Sequence, residues 1–396
     1  MTSDEGEVEH RPVSPVSLGT IAKEWLRLGC IGFGGPPTHI ALLRRLCVEE
    51  RQWIEAKEFE DALATTNLLP GPASTQLAIY CAWCLRGTVG AVLGGLCFIV
   101  PGLLLILVLS AVFLAHHPPD LILGAAAGAG AAVPAVAVNA AWGLAPASWK
   151  RIGTGREQRA RWVVYALLGG AAAATVGPYL VIVLVACGVI EIIIRQQGGP
   201  MSPRSMRALI SAPIVHGATL GGLGALVWVA FKVGALSYGG GFVIIPLMQH
   251  DAVTTYHWMT GAQFLNAVAL GQITPGPVVQ TVAVVGYAAG GVGGGLLAAL
   301  VAFTPSFAFV LVGARRFDQI RANSAVESFL TGAGSAVVGA ITGAAIPLGL
   351  AFGHRWQIPV LAGALAWLFV ARRGVVGALL VAGVVGVIVA LSGVPA

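Results

Sequence analysis

The chain has 396 residues, 57% of them hydrophobic and only 10% charged, and its mean hydropathy of +0.83 lies far outside the soluble range. The formal net charge of +6 gives no reason to expect a nucleic-acid partner, because the basic residues sit in short segments between apolar stretches. A soluble globular enzyme is excluded, and a polytopic protein of the lipid bilayer is indicated.

Residues 1–17, "MTSDEGEVEHRPVSPVS", form a polar tail, with no basic start followed by an apolar core of the kind a signal peptide needs. Charge-poor windows long enough for a bilayer crossing follow. In the first half they place spans at 18–35, 88–114, 121–147, 161–176 and 178–195. In the second half they fall at 213–238, 291–313, 322–350, 356–371 and 374–394, after a polar linker at 196–212. Cys81 and Cys84 make a CxxC, but no second cysteine pair or histidine completes a ligand set. The expectation is therefore no metal and no cofactor.

The two halves are one unit used twice. A shift of 205 residues lays Gly29 on Gly234, Gly34-Gly35 on Gly239-Gly240, Ile40 on Ile245, Trp53 on Trp258 and Phe59 on Phe264. It also lays Pro70-Gly71-Pro72 on Pro275-Gly276-Pro277, and chance apolar similarity does not preserve such spacing. The repeats are 18–195 and 213–396. Basic residues favour the cytoplasmic side, and Arg44, Arg45, Arg51 and Lys57 have no basic counterpart in 242–263. Five crossings per half then make the second copy inverted, with His354-Arg355 the one basic loop out of place. The expected fold is an all-α polytopic membrane protein, an inverted internal repeat of about ten full spans plus two re-entrant helical hairpins.

The hairpins come from segments too short to cross. Residues 56–69 and 73–86 are joined at Pro70-Gly71-Pro72, and the second copy repeats this at Pro275-Gly276-Pro277. Pro72 and Pro277 suit a helix start, leaving the amides of Ala73, Ser74 and Thr75, or of Val278, Val279 and Gln280, free to bind an anion. Broken helices in an inverted repeat are the layout of secondary transporters. Gly71, Ser74, Thr75 and Gln76, with Gly276, Gln280 and Thr281, are the candidate donors. A tight turn between interfacial helices is the plainer account.

A second constellation is "RLGCIGFGGPPTH" at 27–39, matched by "KVGALSYGGG" at 232–241. Arg27 and Lys232 are equivalent cations in apolar surroundings, where a charge suggests function; snorkelling to the interface is the alternative. The glycine pairs Gly34-Gly35 and Gly239-Gly240 either allow close backbone approach or break the helix again. His39 is a candidate for carrying a coupling proton, or it faces the cytoplasm. Glu191, four residues before Arg195, reads as half of an interfacial ion pair.

"FGGPPTHIAL" at 33–42 and "LLPGPASTQLA" at 68–78, with the degenerate "YGGG" and "TPGP" of the second copy, resemble the chromate ion transporter family in its long two-domain form. The resemblance covers the chain from about Lys23 to the last span. It implies export of chromate from the bacterial cytoplasm through the inner membrane, with sulfate as a related substrate, and it leaves a homodimer open. Gly241 and Ile244 stand where the first copy has Pro36 and His39, so roles carried to those two residues apply only to the first half. Two rivals are an anion channel and an intramembrane transferase acting on a lipid phosphate. The second would want clustered acids that the spans lack.

Overall fold

The computed structural model describes residues 16–67, 69, 71–115, 118–175, 180–196, 222–237, 242–313 and 323–393. Pro70, Gly239, Gly240, Gly241, linker residues 197–212 and the basic loop 314–321 lie outside the described residues, as does nearly all of the polar tail. Fourteen α-helices and no strand are present among the described residues.

Ser17 accepts a hydrogen bond from the Thr20 amide and so starts α1, Leu18–Ile31. Pro36 at the first helical position opens α2, Pro36–Arg44, which runs on through a π-helical turn at Arg45–Glu50. The first half continues with α3 (Ala56–Thr66), α4 (Ala73–Phe113), α5 (Asp120–Ile152), α6 (Arg156–Thr175) and α7 (Leu180–Gln196). The second half repeats the series with α8 (Leu223–Leu236) and α9 (Ile244–His250, extended by a π turn at Asp251–Thr255). Next come α10 (Gly261–Ile273), α11 (Thr281–Gly313, after a short 3-10 turn at Val278–Gln280) and α12 (Ser324–Leu350). The last two are α13 (Gln357–Leu365, with a π turn at Ala366–Val370) and α14 (Val375–Leu391).

Among the described residues four helical stretches are long and apolar enough to cross a membrane: 73–113, 120–152, 278–313 and 324–350. On α4 the exposed Val89, Val92, Leu96, Val100, Leu104 and Val108 recur every three or four residues, the stripe of a helix facing lipid. α4 is broken at Arg86–Gly87 and α11 at Gly290–Gly291. Each therefore divides into a short arm and a full span at the boundary that the hairpin reading requires.

Two expectations are corrected. The span drawn at 18–35 ends as a helix at Ile31; its 14 residues reach about 21 Å, short of a bilayer's apolar core of about 30 Å, while 213–221 of the span drawn at 213–238 lie outside the described residues. The stretch after Gly35 is helical to Glu50, so Arg44 and Arg45 decorate a helix and not a loop. The first half thus opens with a helix broken at Gly34-Gly35, as the second reading of that glycine pair required.

The halves are interlocked. α1 packs on α4 and α8 on α11, while α4 packs on α11 across the repeat. In exchange, α5 of the first half carries α13 and α14 of the second, and α12 carries α6 and α7. The α1–α4 and α8–α11 contacts use matching glycines. A methyl group on Gly29 would lie 2.7 Å from the Phe98 carbonyl oxygen, and one on Gly234 would run into Ala302, so small residues bring the backbones together.

Candidate functional site

Two tips meet the long spans inside this frame. The first is the turn between α3 and α4 at Gly71 and the second lies between α10 and α11 at Gly276. Their φ values of +112° and +93° are closed to ordinary side chains, which is why glycine stands at both positions. Downstream of the tips the repeat offset falls to 204, because the second copy has one residue fewer. Gln76 therefore matches Gln280, Phe98 matches Ala302, and Gly102 matches Ser306.

At the first tip a methyl group on Gly71 would lie 3.5 Å from Ser306 Oγ on α11 and 3.5 Å from the carbonyl oxygen of Gly234 on α8. The Gln76 carboxamide nitrogen closes the other side, at 2.5 Å. Thr75 and Ser306 are buried, and so is Ser237, which caps α8 one turn after Gly234. Their hydroxyl oxygens have no hydrogen-bond partner among the described residues. Buried hydroxyls are ordinarily paired. Three such hydroxyls, on the short arm of α4 that ends at Arg86–Gly87, at the end of α8 and on α11, are candidate donors.

The second tip is tied down instead. The Gly276 amide donates to the Gly32 carbonyl oxygen at 2.9 Å, and Gln280 Nε2 donates to the Ile99 carbonyl oxygen at 2.7 Å. A methyl group on Gly35 would touch Val278 at 3.5 Å, so the first glycine break sits against the second tip. Only two carboxamide atoms are left without partners here, Gln272 Nε2 and Gln280 Oε1.

His39 joins the two. It is buried, with Nε2 2.8 Å from the Gly32 carbonyl oxygen and Nδ1 3.3 Å from Ser74 Oγ. Its ring meets Phe98 edge-on at 5.1 Å. The cytoplasm-facing alternative for His39 does not fit this position.

Several expected donors are otherwise engaged. The amides of Thr75 and Gln280 donate to the Pro72 and Pro277 carbonyl oxygens at 3.0 and 2.9 Å, because each helix starts with a tight turn, and so they are not free for an anion. The Thr281 hydroxyl donates to the Val278 carbonyl. Ser74 is held by His39. Gly34, with φ +98°, belongs to the break and not to a tip.

The cations are not brought to the tips. Lys232 is buried in an ion pair with Asp251 from the π turn after α9. Two residues before Gly234, it projects about 200° around α8 from the face that meets the first tip. Arg27 is 63% exposed and lies 3.7 Å from Glu24. Glu191 makes the expected ion pair with Arg195, at 2.7 Å, and is buried because it also accepts from Arg161 at 3.0 Å and Tyr165 at 3.2 Å. It therefore clamps α6 to α7.

Sequence reasoning missed Ser237, Ser306 and Asp251. The serines had a signal. Each stands where the other repeat has glycine, Ser237 at Gly32 and Ser306 at Gly102, the latter after the matched prolines Pro101 and Pro305. Asp251 had none, since its counterpart is Leu46.

The family described as "Chromate transporter" matches residues 19–192 and again 224–388. This chain belongs to the chromate transporter family. It is 33% identical over 355 residues to the chromate transport protein of Cupriavidus metallidurans, covering 88% of this chain and 86% of that one. It is 31% identical over 395 residues to the chromate transport protein of Pseudomonas aeruginosa, covering 94% and 92%. The probable chromate transport protein of Synechococcus elongatus is 29% identical over 339 residues, with 84% and 85% covered. No solved structure matches. The family member is thus a multi-pass integral membrane transport protein and not an enzyme, with chromate ion transport as its activity class.

Proposed function

We propose that this chain is a secondary transporter that exports a tetrahedral oxyanion, chromate foremost, across the bacterial inner membrane, and that the first tip binds it. The observation that carries the reading is the trio of buried, unpartnered hydroxyls, Thr75, Ser237 and Ser306, around the start of α4. Neutral donors and a helix N-terminus suit a small oxyanion. Ion pairing of Lys232 with Asp251 argues against a role for that lysine as the anion's counter-charge.

The two halves are proposed to be inverted, so that the tips enter from opposite faces. The basic residues of 44–57 and their absence from 242–263 support this. In a cysteine-free background, single cysteines at Glu50 and Thr255 should react from opposite sides of intact cells; reaction from one side would refute inversion.

The function is tested by uptake of chromate and sulfate into inside-out vesicles. Concentrative chromate uptake, reduced by Ser306→Ala and Thr75→Ala at equal protein level, is the expected result. Equal preference for sulfate would reassign the substrate. Flux that never exceeds equilibrium would make the protein a channel.

A further inference from the structure

The hydrogen bonds around His39 fix its tautomer. Nε2 faces the Gly32 carbonyl oxygen at 2.8 Å, and a carbonyl accepts only, so Nε2 carries the hydrogen of the neutral ring. Nδ1 is then a lone pair, and the Ser74 hydroxyl, 3.3 Å away, donates to it. Gly32 O is already bonded to the Gly276 amide of the second tip, so the imidazole is held from both repeats and does not turn over.

Resting on the oxyanion reading above, we propose that His39 is a proton site that switches Ser74 into the anion site, so that one proton and one oxyanion are bound and carried together. A proton from water adds to Nδ1, which becomes a donor to Ser74 Oγ. The Ser74 hydroxyl must then accept, and its own hydrogen is released from the imidazole toward the start of α4, beside the unpartnered hydroxyl of Thr75. No bond other than N–H is made. The imidazolium charge and the freed Ser74 donor both favour an anion at that helix start. Binding of the anion in turn favours the proton by the same factor.

Among the described residues the nearest ionisable group on α1 is Cys30, two residues before Gly32 and exposed. On α1 the charges of Lys23, Glu24 and Arg27 lie about 8–14 Å further along the axis from Gly32, with Glu24 bound to Arg51 and Arg27. On α2 the nearest is Arg44, which pairs with Glu49 and Glu60. On α4 it is Cys97, beside Phe98. The second tip, 274–280, has no titratable side chain.

The test is chromate binding to purified protein at pH 8 and pH 6, with proton uptake followed by an indicator dye in weak buffer. His39→Gln and His39→Asn, which keep a donor and cannot be protonated, run alongside, so that the titration of chromate itself cancels. The wild type should bind at least about fivefold more tightly at pH 6 than the variants' trend allows and take up one proton more than they do. The variants should still bind at pH 8. Proton uptake equal in wild type and a folded variant would overturn the proposal while leaving the oxyanion reading intact. Loss of pH 8 binding in both folded variants would also overturn it, since His39 would then be part of the site itself. A wild type that binds no chromate at either pH would sink the transport reading and this inference together.

Discussion

The first and second tips occupy equivalent places in the repeat and differ in what surrounds them. Around Gly71 stand Thr75, Ser237 and Ser306; at the equivalent places around Gly276 stand Val279, Gly32 and Gly102. The first tip keeps its buried hydroxyls unpartnered, and the second spends its backbone amide and Gln280 on contacts across the repeat. One duplicated turn thus neighbours hydroxyls without partners among the described residues in one copy and is bonded across the repeat in the other. Duplication supplies the geometry, and a few side-chain changes divide the labour.

The ion pairs diverge in the same way. In the first half α1 supplies the acid, Glu24, which Arg51 meets at 2.7 Å. In the second half α8 supplies the base, Lys232, and the π turn supplies Asp251. The first pair has an exposed arginine, whereas both members of the second are buried.

These differences order the expected effects of mutation. Removing one member of the buried pair leaves an uncompensated charge, which typically costs about 3–5 kcal/mol. Lys232→Ala and Asp251→Ala should therefore lower thermal stability and membrane yield sharply, and Lys232→Met/Asp251→Leu should restore much of both. A stable, correctly inserted Lys232→Ala protein with no transport would instead move the substrate's counter-charge to Lys232.

Smaller losses are expected at the tip. Ser306→Ala and Thr75→Ala each remove one donor, an interaction of about 1.5–3 kcal/mol toward a charged group, with little change in melting temperature because neither hydroxyl has a hydrogen-bond partner among the described residues. Isothermal titration with chromate reads this directly, and unchanged affinity in both would mean that these hydroxyls face water and not substrate. Smallest of all is Arg27→Ala. An exposed pair contributes about 0–1 kcal/mol, so stability and vesicle uptake should match the wild type; a large uptake defect would return Arg27 to the site.

Much of this was legible in the chain, for a physical reason. Proline and glycine act through the backbone, so Pro72, Pro277, Gly71 and Gly276 mark helix breaks whatever packs around them. Their recurrence exposes the repeat. Lipid-facing apolar length likewise located α5, α12 and the spans of α4 and α11. Partnership was not legible. Asp251 is 19 residues from Lys232 and meets it only because the π turn folds back along α8. The Glu191–Arg195 pair was legible from its four-residue spacing, but Arg161 and Tyr165, brought by α6, were not. The free amides of Thr75 and Gln280 were lost to a local turn whose bond depends on the proline carbonyl direction, and residue identity does not encode that.

The account rests on the claim that the first tip holds the anion while the second tip holds the halves together. Gly71→Ala and Gly276→Ala separate these roles cleanly, since both place a Cβ at positive φ and bear similar backbone strain. The decisive measurement is the chromate dissociation constant of each variant at matched thermal stability. The account predicts weakened binding in Gly71→Ala, whose Cβ would lie 2.5 Å from Gln76 Nε2 and displace that carboxamide. It predicts near-normal binding with slowed transport in Gly276→Ala. Equal affinities in the two variants, or a larger loss in Gly276→Ala, would contradict it.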